Sequence, residues 1–218
     1  MDLTKARKRL LEILCKNSFK YSESPIYKLA SGKMSDCYIN CKATTLDSEA
    51  MNLIGHIFYD KIKTLQVAAI GGLTQGADPI AVATAMISGI KDNPVNAFVV
   101  RKKAKEHGLK KVIEGNIQDG DKVVIVDDVV TTGQSTIIAI ENAKKERLNI
   151  VKVIVLIDRQ EGGREEIEKL GIAFDSIFTK DDLIKLSSNH SKSKNWLGKK
   201  HSEESKGKMS VSAKIIWQ

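Results

Sequence analysis

The sequence predicts an α/β fold: a doubly wound, mostly parallel sheet with a small N-terminal hood. Three observations carry this expectation. Between residues 67 and 178, short runs rich in Val and Ile alternate with stretches of helical apolar spacing, the pattern of strands covered on both faces. The run Val123-Val124-Ile125-Val126 leads directly into Asp127 and Asp128, and then into a hydroxyl-rich turn that opens a helix. The extended stretch 26–41 breaks the alternation, so it is assigned to a separate small cap over the ligand edge of the sheet.

The elements follow in order. Leu3, Ala6, Leu10, Leu11 and Leu14 recur at helical spacing and predict a first helix over 3–14. Beyond the turn at Ser24-Pro25, residues 26–41 read as two paired extended segments about Ser31-Gly32. Asp47 is the expected N-cap of a helix through Leu53, Ile54 and Ile57, inside which His56 has no partner signal and reads as a packing residue. Strands are expected at 67–71, 96–100, 122–126, 150–157 and 173–178, with helices at 77–90, 135–145 and 181–186. The stretch 109–121 lacks helical pattern and reads as a mobile loop.

Composition bounds the function. A chain of 218 residues allows one ordinary domain plus an appendage. Such a domain buries about 70% of its unfolded surface and needs no disulfide staple. The three cysteines, Cys15, Cys37 and Cys41, are odd in number, and residues 1–10 lack the apolar core of a secretory signal, so a reducing cytoplasm is the expected compartment. Cys37 and Cys41 lack metal-ligand spacing and read as packing residues. Apolar runs such as 150–157 fall far short of the roughly 20 residues of a membrane helix.

The net charge of +8 is unevenly placed. Residues 187–218 hold seven lysines against two glutamates, which leaves only +3 for the first 186. Serine supplies eight of those last 32 residues, and both Trp196 and Trp217 lie there. We therefore divide the chain into a body, 1–186, with its hood at about 20–45, and a basic Ser/Lys-rich tail, 187–218.

The chemistry concentrates at expected strand ends. In an open α/β sheet, ligands gather at the carboxyl ends of the strands. Thr131-Thr132-Gly133-Gln134-Ser135-Thr136 sets hydroxyls and backbone N–H groups at a helix N-terminus, which makes a phosphate cradle. Asp127 and Asp128 beside it suit a sugar diol or a divalent cation. Gly71-Gly72-Leu73-Thr74-Gln75-Gly76 is a second glycine-rich strand end that brings backbone close to an anion. Arg101, Lys102, Lys103, Lys105 and His107 crowd cations behind the strand 96–100.

Taken together and in this order, these segments resemble the type I phosphoribosyltransferases, and within them the orotate enzymes. The span Asp127 to Thr136 resembles the family signature for 5-phosphoribosyl-1-diphosphate. The resemblance implies that Asp127 and Asp128 face the ribose hydroxyls and organise Mg²⁺ indirectly, while Val129, Val130, Thr131, Thr132, Gly133, Gln134, Ser135 and Thr136 complete the donor site. It further implies that Gly72 and Thr74 lie in the pyrophosphate loop, where some members carry lysine at the position of Gln75. The run 101–108 resembles the lid of orotate phosphoribosyltransferases. By that match Arg101, Lys102, Lys105 and His107 act on the diphosphate together with Asp128, partly from a neighbouring subunit, which implies a homodimer.

The base side is implied by two further matches. Leu29-Ala30-Ser31-Gly32-Lys33-Met34-Ser35-Asp36-Cys37-Tyr38 is similar to the hood of the orotate enzymes, which many members furnish with lysine where Ala30 stands. Asp158-Arg159-Gln160-Glu161 resembles their Asp-Arg-Gln-Glu turn. With Thr131 and Lys33, Arg159 is thereby assigned to orotate, whose planar carboxylate suits a guanidinium fork. Glycines 162 and 163 are expected to shape the turn. The activity implied is orotate plus 5-phosphoribosyl-1-diphosphate giving orotidine 5′-monophosphate and pyrophosphate, in UMP synthesis. A transferase for another base, or a DNA-binding regulator that senses the phosphoribosyl ligand, are the alternatives.

The tail stands apart. Asn195-Trp196-Leu197-Gly198-Lys199-Lys200-His201-Ser202-Glu203-Glu204 resembles the modular DNA-binding motif appended to GIY-YIG homing endonucleases. Lysines with an interleaved tryptophan suit phosphate contact. A solvated tail reads equally well from the same residues.

Overall fold

A computed structural model describes residues 1–28, 32, 34–102 and 112–188. In chain order come α1 (Leu3–Asn17), β1 (Phe19–Tyr21), β2 (Tyr27–Lys28), β3 (Met34–Ser35), β4 (Cys37–Ile39), α2 (Lys42–Thr45) and α3 (Ser48–Ile62). Then follow β5 (Ala69–Leu73), α4 (Asp78–Ile90), β6 (Asn96–Val100), β7 (Ile113–Gly115) and β8 (Lys122–Val130). The series closes with α5 (Gln134–Lys145), β9 (Asn149–Asp158), α6 (Gly163–Glu168), β10 (Ala173–Thr179) and a helical run over 180–188.

Local chemistry fixes the helix starts. Asp2 accepts from the amides of Thr4 and Lys5 ahead of α1, and Asp47 accepts from Ala50 ahead of α3. Each satisfies donors that the first helical turn cannot.

The strands assemble in the order β10-β9-β8-β5-β6-β7. All neighbours are parallel except β7, which runs antiparallel to β6. From β5 the chain steps to β6 and β7, then returns through β8 on the other side of β5 and continues outward to β9 and β10. The sheet order thus reverses between β5 and β8, and a crevice opens there at the carboxyl ends.

The core lies on both faces of this sheet. Val124 and Val126 of β8 join Ile70, Ile154 and Leu156 in one cluster, together with residues of α1 and α3. Val123 and Ile125 join Val153, Val155, Ala139 and Ile140 in the other, beneath α5. Each fully buried Val or Ile contributes about 1.5–3 kcal/mol. Packing of α3 on α4 is close: a Cβ at Gly55 would meet the Ala83 carbonyl oxygen at 2.7 Å.

Three features differ from expectation. The hood, β1 paired with β4 and β2 paired with β3, shares the core of the body through buried Phe19, Cys37 and Cys41 instead of standing apart. Within 109–121, the described residues include a strand: β7 pairs with β6, and the Arg101 amide donates to the Val112 carbonyl at 2.8 Å. Strand β8 continues through the acid pair to Val130, because β9 extends beside it and pairs Asp127 with Val155 and Val130 with Asp158. Among the described residues, no helix is long and apolar enough to cross a membrane.

Candidate functional site

The site starts from the end of β8. Strand alternation sends Asp127 to the α5 side and Asp128 to the opposite face. Asp127 Oδ2 accepts from Thr136 Oγ1 at 2.9 Å, and its Oδ1 accepts from the Asp128 amide at 3.0 Å. Cys41 Sγ donates to the Asp128 carbonyl at 3.6 Å, which ties the hood to this strand end. The two acids are 5% and 9% exposed. Burial pushes both carboxyls above the usual range, and the Asp128 charge pushes Asp127 further. Lys42 pulls Asp128 part of the way back. A buried acid pair held this way gains from anything that brings positive charge or hydrogen-bond donors to it.

The hydroxyl-rich turn follows. Gly133 sits at φ +80°, a left-handed conformation that glycine adopts freely, and serves as N-cap of α5 without any side-chain capping bond. Thr132, Gln134 and Ser135 are exposed, Thr131 is half-buried, and Thr136 is buried with its hydroxyl on Asp127. The first amides of α5 have no intrahelical acceptor, so they face outward as an anion site. Gly163 backs the turn: its amide donates to the Thr131 carbonyl at 2.9 Å, and a Cβ there would strike the Gly133 nitrogen at 2.7 Å. Its turn-shaping role therefore consists of leaving room for the cradle.

The loop after β5 meets the acids directly. A Cβ at Gly76 would lie 2.7 Å from Asp128 Oδ1 and 2.8 Å from Asp127 Oδ1, so the bare backbone passes over both carboxylates. Thr74 donates its amide to the Val100 carbonyl at 2.8 Å and its hydroxyl to Asp78 Oδ2 at 2.8 Å. The Thr74–Gln75 peptide is cis, and Gln75 is exposed. Gly72 has a different duty: a side chain there would collide with the Val126 carbonyl of the neighbouring strand. Gly76 was not singled out from the sequence, although it is the glycine that touches the acids.

Two anion-ready loops and a buried acid pair thus converge at the sheet reversal. Residues 44–179 match the model of the phosphoribosyl transferase domain. The chain belongs to the orotate phosphoribosyltransferase family. It is 43% identical over 178 residues to the orotate phosphoribosyltransferase of Aquifex aeolicus, which covers 82% of this chain and 97% of that one. It is 39% identical over 183 residues to the Nostoc enzyme of the same name, with 84% and 87% covered. Among solved structures, the Mycobacterium tuberculosis orotate phosphoribosyltransferase in complex with 5-phospho-α-D-ribosyl 1-diphosphate superimposes with a TM-score of 0.67 at 30% identity. That match covers 82% of this chain and 92% of the other.

The remaining family positions distribute as follows. Arg159 is 6% exposed; its amide donates to the Val130 carbonyl at 2.9 Å, and its Nη2 points at Cys37 Sγ of the hood, 3.9 Å away. The hood is thus brought onto the strand ends that carry Arg159 and Asp128. Val130 is 2% exposed with its carbonyl engaged by Arg159, and Val129 packs against the core, so both serve through backbone and packing. Arg101 directly follows β6, with Nη1 on Glu114 Oε1 of β7 at 2.9 Å, and Lys102 is exposed. Lys105, His107, Lys33, Ala30 and the tail segment 195–204 lie outside the described residues.

Cys41, Lys42 and Glu114 border the site without any local sequence signal, because each owes its place to a contact across the fold; Glu161 lies in the Asp-Arg-Gln-Glu turn, but its grip on Arg159 was not read from it. A cavity of about 610 Å³ opens between β7 and the end of α5, where the Arg147–Asp119 ion pair lies; Glu114 lines it, and none of the family positions does.

Proposed function

We propose that the chain transfers the phosphoribosyl group of 5-phosphoribosyl-1-diphosphate to orotate, giving orotidine 5′-monophosphate and pyrophosphate. The observation that carries this is the passage of Gly76 over Asp127 and Asp128 beside the uncapped start of α5. The α5 amides and the hydroxyls of Thr131, Thr132 and Ser135 hold the 5′-phosphate, and the acid pair holds the ribose hydroxyls. The loop 72–76 and the cations Arg101, Lys102, Lys105 and His107 receive the diphosphate as the bond to ribosyl C1 breaks. Arg159 and Lys33 hold orotate. Orotate is already anionic, so placement and charge stabilisation carry more of the acceleration than proton transfer does.

Mg²⁺ is part of this reading. Among the described residues no three acid, histidine or cysteine side chains converge as a metal cage. Two carboxylates raised by burial fit an ion that keeps waters and shares its shell with the substrate. When bound, the ion neutralises charge that develops on the departing diphosphate.

Release of pyrophosphate is to be assayed with orotate, uracil, hypoxanthine and adenine as acceptors. Orotate alone is expected to support it; turnover with another base and none with orotate would reassign the acceptor. Assembly as a homodimer and a cytoplasmic setting belong to the same reading, and sedimentation at micromolar concentration tests the first. The uncharged stripe Val82, Met86 and Ile90 on the outer face of α4 supports an assembly that covers it.

A further inference from the structure

Arg159 is held from an unexpected side. Its Nε donates to Glu161 Oε1 at 2.9 Å and its Nη2 lies 2.8 Å from the same oxygen. The pair is shielded: the Arg159 side chain is 7% exposed and that of Glu161 is 32%. A guanidinium presents five N–H groups in a rigid fork with two usable edges. Glu161 occupies the Nε–Nη2 edge. Among the described residues Nη1 has no acceptor.

The turn that joins the two residues is built to hold this arrangement. The Gln160 amide donates to Asp158 Oδ1 at 2.7 Å, and Gln160 itself sits at φ +58°, where a residue with a side chain is uncommon. Its Oε1 accepts from the Asp181 amide at 3.3 Å, which anchors the turn to the helical run after β10. The left-handed residue between them folds the turn so that Arg159 and Glu161, two apart, meet side by side. Cys37 Sγ lies against Nη2 from the hood, and burial pushes that thiol up, so it meets the guanidinium as a neutral neighbour.

We propose that Glu161 is a positioning residue for the acceptor base: it grips Arg159 by the Nε–Nη2 edge and leaves Nη1 aimed at the carboxylate of the substrate. This rests on the assignment of orotate as acceptor. Without Glu161 the guanidinium would be a buried cation free to rotate, and its placement would have to be established anew at each binding event. A charge-assisted hydrogen bond of this kind is strong enough for its loss to weaken substrate binding about tenfold.

The test compares steady-state kinetics of wild type, Glu161→Ala and Glu161→Gln. Glu161→Ala is expected to raise the orotate KM about tenfold, with kcat and the KM for 5-phosphoribosyl-1-diphosphate within twofold of wild type. Glu161→Gln keeps an oxygen acceptor for Nε and should recover most of the loss. An orotate KM unchanged in Glu161→Ala, or both KM values and kcat moving together in both variants, would overturn the proposal. Wild type inactive on orotate would instead bring down the acceptor assignment, so the two failures are distinguishable. If Glu161→Ala does not fold, Glu161→Gln and Glu161→Asp carry the test: the orotate KM should rise with Asp, which withdraws the carboxylate by one methylene, and stay near wild type with Gln.

Discussion

Asp127 carries a charge where charge is costly, and that cost gives it a pH signature. Burial and the neighbouring Asp128 raise its carboxyl to about 7. The folded pKa lies above the unfolded one, so folding is favoured while the proton stays on. Between about pH 4 and 7 the unfolded chain releases that proton and the folded chain keeps it, so stability falls as pH rises through this window. We predict that Asp127→Asn, assayed without ligand, melts roughly 5 °C above wild type at pH 8 and that the gap closes by pH 4. Calorimetric scans at the two pH values check this, and a pH-independent gap would show that repulsion and burial at Asp127 are not its source. Arg101 offers a second case at this scale. Its ion pair with Glu114 is about two-fifths exposed and is worth about 0.2–1 kcal/mol, no more than a fivefold factor. Glu114→Gln should release Arg101 and lower the KM for 5-phosphoribosyl-1-diphosphate two- to fivefold at low salt, with the difference fading at high salt. An unchanged KM at low salt would mean that the pair does not hold Arg101 back.

At the scale of elements, the loop after β5 is the sharpest constraint. Gly76→Ala places a methyl against both carboxylates, and the backbone or the acids must shift. Because misplacement of about 1 Å near a reacting centre can cost a hundredfold, turnover should fall by about that factor while the circular-dichroism melt stays within a few degrees. Near-wild-type turnover would remove the close passage of this loop from the mechanism. The sequence disclosed such elements unevenly. Strand β6 was read to the residue, and β9, β10, α4 and α5 to within one, since runs of β-branched residues and helical periods are local signals. The three-residue strands β1 and β7 have too few positions for any period to register. The end of β8 was read as loop because two adjacent acids look like loop chemistry; only the ladder to β9, invisible locally, carries them into the sheet. The site showed the same division. Motif residues on β8 and its turn were legible from their order. The Glu161 grip, the Cys41 contact on Asp128 and the Gly76 passage were not, because each depends on atoms that meet only after folding.

For the whole molecule, the division at 186–187 can be tested directly. The sheet, both core clusters and the converging loops lie within the described body, and the helical run after β10 is described as far as residue 188. Truncation after Leu186 removes the last two described residues of that run and +5 of the net +8. The truncated chain should keep orotate-dependent turnover within about twofold, and salt-dependent retention on a DNA column should drop if the lysines of the tail contact phosphate. Equal retention of the two chains would assign DNA contact elsewhere or to no part of the protein. At this scale the antiparallel edge also has a consequence of its own. The bond from Arg101 to Val112 cinches the neck of the segment between them, so that one foot stands at the end of β6 and the other at the start of β7. Insertions or deletions between those feet are therefore expected to leave the sheet undisturbed, because the ladder of β6 with β7 closes behind them.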